Sequence, residues 1–411
     1  MRSATVPILV GALGASGVAG AYRPLVSRWP FSIGSALTSS FASESPLLLA
    51  GVHTVAAAAA WRAGGPAGVA GTVLNIGGLA GLAGLAGDAR RSAVVLAEAL
   101  RDAGVEEPDA VRTRRPAGVL HGSVARRRYR RVADVSYSEH GPFGTLDVWH
   151  RADLPQDGHA PVLLQIHGGA WQMGDKLGQA EPLLGYLAER GWVCVTVNYR
   201  LAPAQRWPAM IVDVKRAIAW IREHISGHGG DPGFVAVTGG SAGGHLAALA
   251  AVSANDPDYQ PGFTEVDTSL AAAVPLYGVH DFTHDRQGLW PLLEGKVIGT
   301  TFDTDERTWR QASPALRVGS DTPPFLVVHG STDAIVGVEQ SRRFVTALRA
   351  GSPSPVGYAE LPHAQHGFDT FATARTAHTV DAVYRFLTSV HQGRVTAGAG
   401  QTGRNTVRAA R

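Results

Sequence analysis

The 411-residue sequence is short of charge. Asp, Glu, Lys and Arg together make up 17% of it, against 45% hydrophobic residues. The shortage is uneven: from Met1 to Gly87 the only charges are Arg2, Arg23, Arg28, Glu44 and Arg62. A single cysteine, Cys194, excludes an internal disulfide framework, and its place in the apolar run Trp192 to Val197 reads as a buried thiol. Lys is rare and no nucleic-acid module is visible, so the net charge of +3 does not point to nucleic acid as a partner. Most of the basic excess is local: Arg112, Arg114, Arg115, Arg126, Arg127, Arg128, Arg130 and Arg131. Beside an apolar region such a cluster fits either anionic lipid headgroups or a solvated linker.

The uncharged front part holds three apolar segments. Thr5 to Ala21 ends in Ala19-Gly20-Ala21, the small-residue pattern of a signal cleavage site. Pro46 to Trp61 is near the lower length limit for crossing a bilayer, and Ala67 to Gly87 has the roughly 20 residues a spanning helix needs. The repeat Gly77-Gly78-Leu79-Ala80-Gly81-Leu82-Ala83-Gly84-Leu85-Ala86-Gly87 is a poor helix in water, since each Gly costs on the order of 1 kcal/mol against Ala. In lipid the same small residues let helices approach closely. The expectation is a membrane anchor; a helical subdomain laid over an enzyme is the alternative. A hairpin of the second and third segments, with Arg-rich flanks, places the remainder of the chain in the cytoplasm, whereas a cleaved signal or a third span places it outside.

Asp88 to Gly104 has the apolar spacing of an amphipathic helix ended by glycine. The expected organisation is an apolar helical region over 1–107, an Arg-rich linker over 108–131, a catalytic domain over 132–392 and a flexible tail over 393–411. Within the third part, short apolar runs alternate with helical patterns, which predicts a parallel sheet covered on both faces. The strands are Val162 to Ile166, Trp192 to Val197, Phe234 to Thr238, Ala271 to Leu276 and Phe325 to Val328. Ala209 to His224 reads as an intervening helix.

Chemistry is expected beyond the carboxyl ends of these strands. Phe234 to Thr238 runs into Gly239-Gly240-Ser241-Ala242-Gly243-Gly244 and then a helix from His245, so the G-x-S-x-G pattern has the strand and helix it requires. Such a turn lifts the Ser241 hydroxyl above the sheet in a strained backbone. Val162 to Ile166 opens into His167-Gly168-Gly169-Ala170-Trp171, whose uncovered N–H groups suit a tetrahedral oxyanion. Gly168, Gly169 and Ala242 are the expected oxyanion hole. Asp333 follows the strand Phe325 to Val328, and His366 lies in a loop before the final helix. The chain order Ser, Asp, His is that of α/β-hydrolases. Ser241 is thus the nucleophile, His366 the base and Asp333 its orienting partner. His363 is an alternative base; Asp281 and Asp285 come too early to be the acid, and Asp369 is too close to His366.

Taken together, His167-Gly168-Gly169, Asn198-Tyr199-Arg200-Leu201-Ala202-Pro203, Gly239 to Gly244, Ser331-Thr332-Asp333 and His366-Gly367-Phe368 resemble the hormone-sensitive-lipase-like carboxylesterases of the α/β-hydrolase superfamily. The front part differs from the soluble members and resembles the mycobacterial and actinobacterial lipase-like esterases that carry an apolar amino-terminal extension. The resemblance implies a mostly parallel eight-stranded sheet flanked by helices, and the triad Ser241, Asp333, His366. It also implies no cofactor or metal, and hydrolysis of esters with short to medium acyl chains. The sequence departs from the pattern in carrying Gly240 where many relatives have Asp, and Ala170 in place of a third glycine. A small ester or lipid is the expected substrate. An amidase or arylformamidase-like activity, or a receptor that has lost catalysis, are the competing readings. The insertion from Gly278 to Ala312, with Phe282, Leu289, Trp290, Leu292, Leu293 and Trp309, reads as a lid or pocket wall, or as packing.

Overall fold

The computed structural model describes residues 4–28, 30–105, 129–284, 288–370 and 372–409, with side chains through 395. Most of the Arg cluster, and Asp285, lie outside these residues. The part of the chain after the front helices is one eight-stranded sheet in the order β1-β2-β4-β3-β5-β6-β7-β8. Its strands are β1 (Tyr129–Ser136), β2 (Thr145–Arg151), β3 (Ala160–Ile166), β4 (Val193–Val197), β5 (Gly230–Gly240), β6 (Ala272–Leu276), β7 (Phe325–Gly330) and β8 (Val356–Leu361). β1 and β2 pair antiparallel, as do β2 and β4, and every pair from β4 to β8 is parallel.

The five expected strands are the central ones because they are buried on both faces. Along β3, Val162, Leu164 and Ile166 enter one core while Leu163 enters the other. The first core is closed by α6 (Ala209–His224), α7 (Ala242–Val252) and α8 (Glu339–Gly351); the second by α5 (Glu181–Ala188) and α9 (Ala374–Ala409). α9 continues through the stretch expected as a flexible tail. β1 begins at Tyr129, inside the expected linker, and is exposed along most of its length. It is held by ion pairs instead: Asp147 of β2, fully buried, accepts from Arg131 and faces Lys176 at 3.4 Å.

The front part is helical: α1 (Thr5–Tyr22), α2 (Ser32–Glu44), α3 (Pro46–Ala63) and α4 (Gly65–Asp102). α1 and α4 have the length and apolar composition to cross a membrane. The expected third segment and the expected amphipathic helix after it form one unbroken helix, α4, because no residue between Gly65 and Asp102 interrupts the ladder. Leu96, Ala99 and Leu100 of α4 belong to the second core against the sheet. The four helices bury a small apolar cluster, Val18, Ala21, Ala42, Leu82 and Leu85, together with several polar groups, and leave many large apolar side chains exposed. His53 and Asn75 are buried and joined at 2.8 Å, and Asn75 Nδ2 also donates to Pro7 O. Val6, Leu9, Leu13, Leu47, Leu48, Val55, Trp61, Val69 and Val73 are exposed.

Candidate active site

Ser241 stands at the junction of β5 and α7 with φ 58° and ψ −122°, a conformation that L residues rarely adopt. The glycines around it are required by close backbone approach. A Cβ on Gly239 would fall 2.6 Å from Ile166 O, and one on Gly243 2.7 Å from His167 O. The turn is pinned by Ser241 N donating to Leu276 O at 3.0 Å, and its helix begins immediately at Ala242, whose N–H is among those a first helical turn leaves unpaired within the helix.

His366, in the loop after β8, approaches Asp333 Oδ2 with Nδ1 at 2.7 Å. Asp333 is buried, and its other oxygen accepts from Ile335 N and Val336 N at 2.8 and 2.9 Å. Burial alone raises its pKa, but the adjacent His366, together with hydrogen bonds from His329 and His366, holds the carboxyl well below the usual carboxylate range. With Nδ1 turned to Asp333, His366 has Nε2 left for a reacting group. Tyr277 joins this histidine to the serine turn. Its ring meets His366 edge-on at 4.7 Å, and its hydroxyl fills the space next to Gly240, where an added Cβ would lie 2.6 Å from it. That contact accounts for Gly240 in place of the Asp of many relatives. Tyr277 Oη donates to Asp369, whereas His366 Nδ1 is paired with Asp333.

The other candidates are occupied elsewhere. His363 Nδ1 meets Asp88 Oδ2 at 2.9 Å, and Asp281 accepts from Thr283 and Arg343. His167 stacks on Tyr199 with centroids 4.2 Å apart, and burial pushes its pKa down to about 4, so it is neutral. Of the insertion after Gly278, Phe282, Leu292, Leu293 and Trp309 are buried in the first core; Trp290 stacks on Trp309 at 4.3 Å.

The glycine loop differs in detail from expectation. Gly168 N donates to Gln179 Oε1 at 2.7 Å, so this N–H already has a partner. Gly169 has φ 129°, and a Cβ there would collide with Met173 O. Ala170 follows with φ 53°. The loop is braced from below by Tyr199 Oη donating to His167 O and by Ala202 N donating to Trp171 O. Asn198 Oδ1 accepts from Lys176 N, and Arg200 makes a bidentate pair with buried Asp213. The segment Asn198 to Pro203 therefore acts as a support for the loop. Gln179, Ala170 and Tyr277 were not among the expected site residues. The doubled backbone strain after His167-Gly168-Gly169 carries no sequence signature.

The BD-FAE family model matches residues 146–348. The chain is 50% identical over 293 residues to the probable carboxylic ester hydrolase LipM of Mycobacterium tuberculosis, covering 68% of this chain and 67% of that protein. It is 45% identical over 316 residues to esterase LipC of the same organism, covering 75% and 77%. Among solved structures, esterase 2 of Thermogutta terrifontis in its apo form is similar at 26% identity with a TM-score of 0.52, over 64% of this chain and 94% of that one. Esterase B of Lactobacillus rhamnosis shares the fold at 22% identity with a TM-score of 0.56, over 76% and 99%.

Proposed function

Because the chain belongs to the hormone-sensitive-lipase-like carboxylesterases of the α/β-hydrolase superfamily, and is a carboxylic ester hydrolase, we propose that it cleaves short- to medium-chain esters through an acyl-enzyme on Ser241. The observation that carries the assignment of roles is the pairing of His366 Nδ1 with Asp333 at 2.7 Å, with Tyr277 packed on both His366 and Gly240, the residue before Ser241, which is strained at φ 58°. His366 Nε2 takes the Ser241 hydroxyl proton as Oγ bonds to the ester carbonyl carbon. The carbonyl oxygen becomes an oxyanion, held by N–H groups of Gly169 and Ala242, with Ala170 adjoining. Collapse breaks the bond to the alkoxy oxygen, which leaves with the proton from His366. Water then repeats the sequence and frees the acid. Asp333 holds the imidazole tautomer and stabilises its cation.

Gly168, whose N–H is held by Gln179, serves by letting the loop pass close to Ser241: a Cβ on it would sit 3.3 Å from Ser241 Cβ. The experiment is hydrolysis of a chain-length series of 4-nitrophenyl esters by wild type and Ser241→Ala. Activity in wild type with background rates in the variant is expected. A variant that retains activity refutes the assignment.

The front helices are proposed to sit in a membrane. A water-soluble bundle covers most of its large apolar side chains, whereas here Leu47, Leu48, Val55 and Trp61 of α3 point outward while His53 and Asn75 are buried beside a small apolar cluster. Full-length protein is expected to float with phospholipid vesicles and to resist release by high salt. Solubility without detergent, and no flotation, would contradict it.

A further inference from the structure

α4 is both a membrane-type helix and part of the hydrolase, and the path it takes fixes which end of the enzyme meets the bundle. Near its carboxyl end Asp102 pairs with Arg349 at 3.1 Å, at the close of the helix that precedes β8. Three residues earlier, Ala99 O lies against Gly357 near the start of β8, where an added Cβ would collide with it. Further back, Asp88 Oδ2 meets His363 Nδ1 at 2.9 Å, beyond the end of β8. α4 thus runs antiparallel along the edge strand and leaves the sheet at the carboxyl ends of the strands, the end that carries Ser241, Asp333 and His366. From Asp88 back to Gly65 it continues for about 35 Å at 1.5 Å per residue, enough for a hydrocarbon core of roughly 30 Å.

The remaining contacts fall on the same end. Gln365, next to His366 and fully buried, donates to Gly20 O of α1 at 3.2 Å and accepts from Ala334 N beside Asp333 at 3.2 Å. The Tyr22 ring meets His363 edge-on at 4.6 Å. Arg375, fully buried in the first turn of α9, pairs with Glu44 at the end of α2 and donates to Ser92 Oγ of α4 and to Pro362 O. The bundle is therefore seated on the segment 362–376 that delivers His366.

We propose that the catalytic end of the hydrolase is held facing the bilayer, so that its substrates are lipophilic esters drawn from the membrane's interfacial layer rather than from bulk water. The proposal rests on the esterase and membrane readings above. The exposed apolar helices leave the active-site end no choice of direction once they are inserted. A substrate that partitions into lipid is then concentrated at the mouth of the site, while a water-soluble ester reaches it only by diffusion along the surface.

The test uses the full chain in phosphatidylcholine vesicles. Cys194 is buried and burial pushes its thiol pKa far up, so wild type gives an unlabelled background. Thr370→Cys and Pro353→Cys each place a fluorophore on an exposed residue, beyond the end and before the start of β8, a strand about 20 Å long. Headgroup-nitroxide lipid is expected to quench the probe at 370 and to leave that at 353 bright. Equal quenching, or stronger quenching at 353, overturns the orientation.

In the second arm, 4-nitrophenyl laurate is diluted tenfold in mole fraction within the vesicles at constant bulk concentration. Its hydrolysis is expected to fall about tenfold while that of 4-nitrophenyl acetate is unchanged. A laurate rate indifferent to mole fraction overturns the substrate class. Failure of the protein to float removes the proposal together with the membrane reading. Loss of acetate hydrolysis in wild type removes it together with the esterase assignment.

Discussion

Replacing Asp333 by Asn isolates the tautomer argument from the fold. The carboxylate has two distinct sides: Oδ1 accepts two backbone N–H groups, from Ile335 and Val336, and Oδ2 faces His366 Nδ1 at 2.7 Å. An Asn amide can satisfy the two N–H groups only with its oxygen, so its NH2 is forced toward His366. The imidazole must then present an unprotonated Nδ1 and carry its proton on Nε2, the nitrogen that has to receive the Ser241 proton. His329 Nε2, 3.4 Å from the same carboxylate oxygen, adds a second donor against the amide. The wrong tautomer costs about 10⁴ in turnover, or about 5.5 kcal/mol of transition-state stabilisation. The assay is kcat and KM on 4-nitrophenyl butyrate for Asp333→Asn, with circular dichroism confirming the fold. A kcat within tenfold of wild type, or a loss confined to KM, refutes Asp333 as the partner of the base.

Asp333→Asn should also alter acid stability. The folded pKa lies below the unfolded value near 3.9, so the ionised group stabilises the fold above that pH and loses its contribution as pH falls below it; the variant's unfolding free energy should decline less steeply there. Tyr277→Phe keeps the ring against His366 but strips Asp369 of its hydroxyl donor; stability should fall by about 1–3 kcal/mol, read by denaturant unfolding, with kcat changed less than about threefold. Gly240→Asp should displace Tyr277 and lower kcat at least about tenfold, and Tyr277→Ala in the same chain should recover part of it; undiminished activity of the single variant contradicts the contact. Gly169→Ala, at φ 129° with Met173 O in the way, should cost about 2 kcal/mol or more and abolish measurable turnover, checked by thermal unfolding and the butyrate assay.

The parts legible in the sequence are those that local chemistry dictates. Strands β3 to β7 are buried on both faces at their centres, so each carries a short apolar run, and the strained serine turn must be spelled with small residues on either side. β1 is not legible because Tyr129-Arg-Arg-Val-Ala-Asp-Val-Ser136 is an exposed edge strand fastened through Arg131 and Asp147 rather than by apolar burial. The continuity of α4 is concealed by its glycines, which in an isolated peptide argue for a break. In the glycine loop, nothing local marks Gly168 N–H as taken, since its acceptor comes from Gln179 on the far side of a loop with no periodicity. Tyr277 and Asp369 are far apart in sequence and meet only in the folded chain.

The glycine repeat of α4 ties these observations together. Gly78, Gly81 and Gly84 recur every third residue and share one side of the helix; added Cβ atoms there would overlap His53, Val18 and Tyr22. Their absence of side chains lets α1 and α3 lie close enough for Tyr22 Oη to reach Gly81 O at 3.0 Å and for its ring to meet His363. The composition that makes the helix weak in water therefore brings α1 against α4 at the height where Gly20 O receives Gln365. A larger residue on this side would separate α1 from α4 and draw Gly20 and Tyr22 off the segment that carries His366. The repeat thus links the packing of the apolar helices to the placement of His366.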